Sequence, residues 1–274
     1  CLMKNRTIAL LLCLCCLVSL YGCSVPEEYR YTNPTEYIHW EPTDPPADKP
    51  EEPKPTETQA PRLSARDMVK KMDVDDLVGQ LFLVKCPSGG AEKLIREFHI
   101  GGIILYGSNL NGETPNSLRK KLEDWQEYAP VPLIVAVDEE GGTVARLSSL
   151  EEFRSEPFDS PRQIYFDGGL AAIRTSESEK AQLLKRCGIN VNLAPVCDVA
   201  CTESALMADR SLYQPPKTTG KVIAAMVKTM QKNQVGAVLK HFPGYGSIEL
   251  DTHDGKVTDQ RTMSELEEYD LLPF

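Results

Sequence analysis

The residues best suited to chemistry lie between positions 240 and 253. Asp251 and His253 stand two apart in a stretch punctuated by Gly244, Gly246 and Gly255, a composition that suits a loop rather than a core element. In an extended segment residues two apart project the same way, so Asp251 can hold the His253 imidazole in one tautomer and support its charged form. Imidazole exchanges protons at neutral pH, which makes it the usual general acid or base. The plain alternative is a solvated polar loop. Asp251, His253, Asp254 and His241 also offer metal-ligand types, but no helical H-x-x-x-H spacing fixes them and no metal is expected. Lys240 and His241 follow an apolar run directly, where they can donate hydrogen bonds to a ligand or serve as a structural charge. Asp138 and Arg146 flank Gly141 and Gly142 and offer either a binding pair or an internal ion pair. Glu139 and Glu140 read as solvated or as supporting groups behind them.

These residues need elements to place them. Apolar runs at 78–84, 100–106, 132–137, 190–196 and 236–240 read as buried strands, with helical patterns at 90–98, 115–128, 170–187 and 216–234 between them. Alternating strands and helices imply an α/β fold with a parallel sheet covered by helices. Asp138, Asp198 and His241 each fall just after a strand, as in a β/α barrel, whose active site is built from loops at the carboxyl ends of its strands. A doubly wound sheet places ligands similarly, but neither the dinucleotide fingerprint nor the P-loop spacing is present. Five strands against the eight of a TIM-type barrel predict an incomplete (β/α)8 barrel over residues 62–274, with the remaining strands expected beyond Phe274.

Net charge is -10 over 274 residues, and without a concentrated basic patch a nucleic-acid partner is not expected. Lys4 and Arg6 precede a 13-residue apolar run at 8–20, short for a membrane span and suited to a signal peptide. That run leads to Leu20, Tyr21, Gly22 and Cys23, which resembles a bacterial lipobox, so residues 1–23 are expected to direct lipidation of Cys23. A plain signal peptide or a signal anchor is the other reading. Residues 24–61 hold nine of the twenty prolines, and acidic residues outnumber basic ones. They are expected to form a disordered linker that, in polyproline II, would reach on the order of 100 Å. Five of the nine cysteines lie at or before position 23, so no disulfide scaffold is expected. A bridge between Cys197 and Cys201 stays open.

The run Lys240, His241, Phe242, Pro243, Gly244, Tyr245 and Gly246, followed four residues later by Asp251, Thr252 and His253, resembles the signature of glycoside hydrolase family 3 in its β-N-acetylhexosaminidase branch. Tyr245 replaces the usual His. Residues 137–147 (VDEEGGTVARL), 192–198 (NLAPVCD) and 209–211 (DRS) agree in the same order. The resemblance implies the barrel fold and a retaining hydrolysis of terminal β-linked N-acetylglucosamine, peptidoglycan fragments being a common substrate class, with no cofactor. By position it makes His253 the acid/base, oriented by Asp251. Asp138, Arg146, Arg210, Lys240 and His241 would bind the sugar. The nucleophile it implies is an Asp on a loop after strand seven, for which 1–274 offers no residue. The expected setting is the extracellular face of the bacterial cell membrane, through the lipid on Cys23.

Overall fold

A computed structural model describes residues 64–274 apart from 201, 247 and 254, so the signal, lipobox and linker readings lie outside the described residues. The described residues fall into two units, divided between Met72 and Asp73. In the first, the described part is a short helix, Ala65–Val69, whose N-cap Ser64 accepts a hydrogen bond from the Asp67 backbone N–H.

The second unit holds a parallel sheet of five strands, β1 (Leu83–Lys85), β2 (Gly102–Leu105), β3 (Ile134–Val137), β6 (Val191–Asn192) and β7 (Gly236–Ala237), adjacent in chain order. A two-stranded antiparallel hairpin, β4 (Glu139–Gly141) with β5 (Val144–Ala145), follows β3. Helices fill the crossovers. Pro115–Tyr128 starts where Thr114 caps the Ser117 N–H and Pro115 takes the first turn, a position where its missing donor costs nothing. It then buries Leu118, Leu122 and Trp125, the three- and four-residue spacing of one helical face.

Alternation along β2 and β3 separates two faces. Ile103, Leu105, Val135 and Val137 are buried together with Ile95, Leu118, Leu122 and Leu184 from the helices. Each such side chain contributes about 1.5–3 kcal/mol by leaving water. A second cluster joins Ile173 of the helix Pro161–Arg186 to Val222, Ile223 and Met226 of the helix Pro216–Lys232. On the other face Leu83, Gly102 and Ile134 share one register, and a Cβ on Gly102 would meet Leu83 and Ile134 side-chain carbons at 2.7 Å. Leu83 and Ile134 thus close over Gly102, and both remain partly exposed.

Several expected boundaries differ, and the strand expected at 236–240 runs only over Gly236–Ala237. The run at 78–84 is not one strand, because Val74–Gly79 is a helix set by a reciprocal capping box between Asp73 and Asp76, and only Leu83–Lys85 pairs. The expected strand at 190–196 stops at Asn192, and the ladder resumes as a single bridge between Val196 and Lys240. Pro195 has no N–H to continue it. The helix expected at 170–187 begins at Pro161 and breaks its geometry at Gly168 and Gly169, which hid its first turns.

Candidate active site

The strand ends bring one charged cluster together. Asp138 follows β3, Glu140 is the middle residue of β4, and Lys240 forms the bridge to Val196 with His241 next to it. The Lys240 ammonium donates to Asp138 Oδ1 at 2.6 Å and pairs with Glu140 Oε1 at 2.6 Å. Glu140, 3% exposed, takes a bidentate grip from Arg210, Nη2 to Oε1 at 2.7 Å and Nε to Oε2 at 3.0 Å. Such forks fix a guanidinium in plane as well as in position. Burial alone would pull the Arg210 pKa down, but the bonds to Glu140 and the charges of Glu140, Asp198 and Asp138 hold it above its ordinary value.

Behind this cluster lies Asp198, which is buried and accepts three N–H groups. His241 gives its ring Nδ1 at 2.6 Å and its backbone N–H at 3.2 Å, and Tyr245 gives its backbone N–H at 2.7 Å. Arg210 Nη2 lies 3.3 Å from His241 Nε2. A guanidinium only donates, so Nε2 is the acceptor and the ring proton sits on Nδ1 toward Asp198. With that neutral imidazole, three carboxylates face two fixed cations. The balance suits a neutral, hydroxyl-rich ligand better than an anion.

Asp251 and His253 meet as their spacing predicts. The His253 ring Nδ1 lies 2.7 Å from Asp251 Oδ1, and the His253 backbone N–H donates to the same oxygen at 2.9 Å. These two bonds, the backbone one first, hold the Asp251 carboxyl below the ordinary range, and the Arg210 charge adds to the effect. The His253 side chain is 89% exposed.

The loop between them leans on a second layer. Gly244 has φ 118° and Gly246 φ 56°, conformations that favour glycine, and a Cβ at Gly244 would meet Asp270 Cβ at 2.7 Å. Arg261 donates to the Gly244 carbonyl at 2.8 Å and also pairs with Asp259 and Asp270.

Other expected residues sit differently. Among the described residues no ion pair joins Asp138 to Arg146. Glu139 instead accepts the backbone N–H groups of Arg146, Leu147 and Ser148 and the Ser148 hydroxyl at 2.5–3.2 Å, and the Arg146 guanidinium stands 5.9 Å from the Tyr106 ring centre. Arg146 Nε is buried without an acceptor among the described residues. Neither Glu139 nor Glu140 is solvated, since both are buried. A free thiol at Cys197 corrects the idea of a bridge to Cys201. Glu140 and Asp198 are the site groups that sequence reasoning underrated. Their positions just after strands were the available signal.

A family model described as glycosyl hydrolase family 3 N terminal domain matches residues 73–274. A protein named beta-hexosaminidase from Nitrosomonas eutropha is 34% identical over 179 residues, covering 64% of this chain and 50% of its own length. A solved glycoside hydrolase family 3 beta-N-acetylglucosaminidase from Paenibacillus sp. strain FPU-7 superposes with a TM-score of 0.68 at 27% identity, over 74% of this chain and 39% of that one. NagZ from Neisseria gonorrhoeae, solved in complex with N-trifluoroacetyl-D-glucosamine, superposes at 0.58 with 25% identity, over 70% of this chain and 58% of that one. The chain spans about half the length of the curated relatives it matches.

Proposed function

Since the chain belongs to the glycosyl hydrolase family 3 N-terminal domain family, we propose that it forms part of a retaining glycosidase removing terminal β-linked N-acetylglucosamine, or another N-acetylhexosamine, from glycans such as peptidoglycan fragments. The observation that carries this is the hydrogen-bonded Asp251–His253 pair in the loop that follows the Lys240, Arg210 and Glu140 cluster. In this reading His253 gives a proton to the glycosidic oxygen as the bond to the sugar breaks. It then takes one from water in the second displacement, with Asp251 orienting its ring. An imidazole acid/base departs from the usual pair of carboxylates. Asp138, Arg146, Arg210, Lys240 and His241 contact the sugar hydroxyls, and no residue of this chain is assigned the nucleophile's role. The amino sugar bound to NagZ in one solved relative supports the substrate class.

The same reading anchors the protein through lipid on Cys23 at the extracellular face of the bacterial cell membrane, with residues 24–61 as tether. Mass spectrometry of the N-terminal peptide from a membrane extract tests it, and an unmodified Cys23 contradicts it.

The activity test uses the intact gene product and a pair of aryl substrates, the β-N-acetylglucosaminide and the β-glucoside. The first is expected to be cleaved with retention of anomeric configuration, and His253→Ala is expected to lower the rate by about 10²–10⁴. Binding of N-acetylglucosamine without turnover would instead establish a non-catalytic sugar-binding lipoprotein.

A further inference from the structure

Tyr245 connects the charged cluster to the loop that carries the acid/base pair. Its backbone N–H donates to Asp198 Oδ1 at 2.7 Å, the carboxylate that also holds the His241 ring. Its own ring meets the His241 ring edge to face, with centroids 5.5 Å apart and planes at 89°. Its hydroxyl lies 2.7 Å from the Thr252 hydroxyl, and Thr252 stands between Asp251 and His253 in the chain. One residue therefore touches the imidazole of the cluster with its ring, the buried carboxylate with its backbone, and the acid/base segment with its hydroxyl.

The segment needs such a hold. Its near side is fixed by the Ile248 N–H to the Tyr245 carbonyl at 3.0 Å, by the Leu206 N–H to the Ile248 carbonyl at 2.9 Å, and by the Ser204 hydroxyl to Glu249 at 2.6 Å. Beyond Glu249 the His253 side chain stands 89% exposed, so packing does little to set where its ring sits. A proton donor left free to wander loses much of its effect, because general acid catalysis needs the donor within hydrogen-bond reach of its target.

We propose that Tyr245 is a positioning residue that ties Thr252, and with it the segment carrying the Asp251–His253 pair, to the His241 and Asp198 end of the sugar-binding cluster. This rests on the assignment of His253 as acid/base. The latch is a bond between two hydroxyls, so in this chain the Tyr in place of the signature's usual His holds the loop through a phenol.

The test uses the intact gene product with Tyr245→Phe, which removes one oxygen and keeps the ring against His241 and the backbone bond to Asp198. Expected results are a fall in kcat of about fivefold, the size of one net hydrogen bond, an unchanged KM, a melting temperature lowered by no more than about 4 °C, and faster amide exchange across residues 248–253. Thr252→Val should do the same, Thr252→Ser should restore most of the rate, and the Tyr245→Phe/Thr252→Val double variant should be no slower than either single one, since both remove one interaction. Wild-type exchange and rate in Tyr245→Phe would overturn the latch, as would effects that multiply in the double variant. If His253→Ala keeps full activity the acid/base reading fails. The exchange of residues 248–253 still decides the latch.

Discussion

The guanidinium of Arg210 grips both oxygens of the Glu140 carboxylate, at 2.7 and 3.0 Å, across 70 residues of sequence. Glu140 is buried and also pairs with Lys240, so it is the hinge on which both sugar-facing cations of the proposal turn. Removing one member of a buried pair leaves the other charge uncompensated, at a cost of about 3–5 kcal/mol. Glu140→Ala should therefore lower the thermal midpoint by roughly 10 °C, at about 2–4 °C per kcal/mol for a domain of this size. It should also weaken sugar binding. Calorimetry checks the first and a titration with N-acetylglucosamine the second. A midpoint within a degree of wild type would show the pair to be energetically idle.

Glu139 supports the neighbouring turn differently. Its two oxygens accept from three successive backbone N–H groups and from the Ser148 hydroxyl. Glu139→Gln keeps the shape but replaces one accepting oxygen with a donor that faces N–H groups. Leaving such buried donors unsatisfied costs about 1–3 kcal/mol each. The expected outcome is a lower urea midpoint together with a raised KM, because Arg146 N–H is one of the groups held. A raised KM with unchanged stability would mean that Glu139 acts on the sugar side and not through the turn.

Why Glu140 and Asp198 were underrated follows from where their partners are. The helix Pro115–Tyr128 was legible because cap, proline and apolar spacing all lie within its own residues. The Asp251–His253 contact was legible for the same reason, being local. Glu140 draws its role from Arg210 and from Lys240, 70 and 100 residues on, and Asp198 from His241 and Tyr245. Position after a strand is the one local signal either carries, and only when the strands are laid side by side do their partners separate them from solvated carboxylates. The run at 78–84 misled for a related reason. A short apolar stretch does not declare its period, and the Asp73–Asp76 capping box upstream settled it as partly helix.

Burial also sets the reactivity of the thiols. It pushes Cys187 up to about 11 and, with the Asp198 charge adding and a backbone bond from Lys240 opposing, pushes Cys197 up to about 12. At about pH 8 the thiolate share of Cys187 is then on the order of one part in a thousand, and the thiolate is the nucleophile. Iodoacetamide should leave both residues unmodified in the native protein and label both in denaturant, read by peptide mass spectrometry. Native labelling of Cys197 would mean that the segment beside Asp198 opens readily.

Asp270 supplies the pH dependence. Burial pushes its carboxyl above the ordinary 3.8, the contacts with Arg261 pull it down, and Asp198 and Asp259 push it up again. Its Oδ1 is buried without a partner among the described residues. An acid with a raised folded value holds its proton longer in the native state than in the unfolded one. Its contribution to stability is thus fully present below 3.8 and falls as pH rises through the folded value. Asp270→Asn removes that titration while keeping the size of the group beside Gly244. The stability of the variant relative to wild type should therefore move in its favour as pH rises from about 4 to about 7. Urea midpoints of both proteins across that range measure the difference. A relative stability that moves against the variant would mean that the ion pair with Arg261 outweighs burial, and that Asp270 serves the loop as a charged clamp.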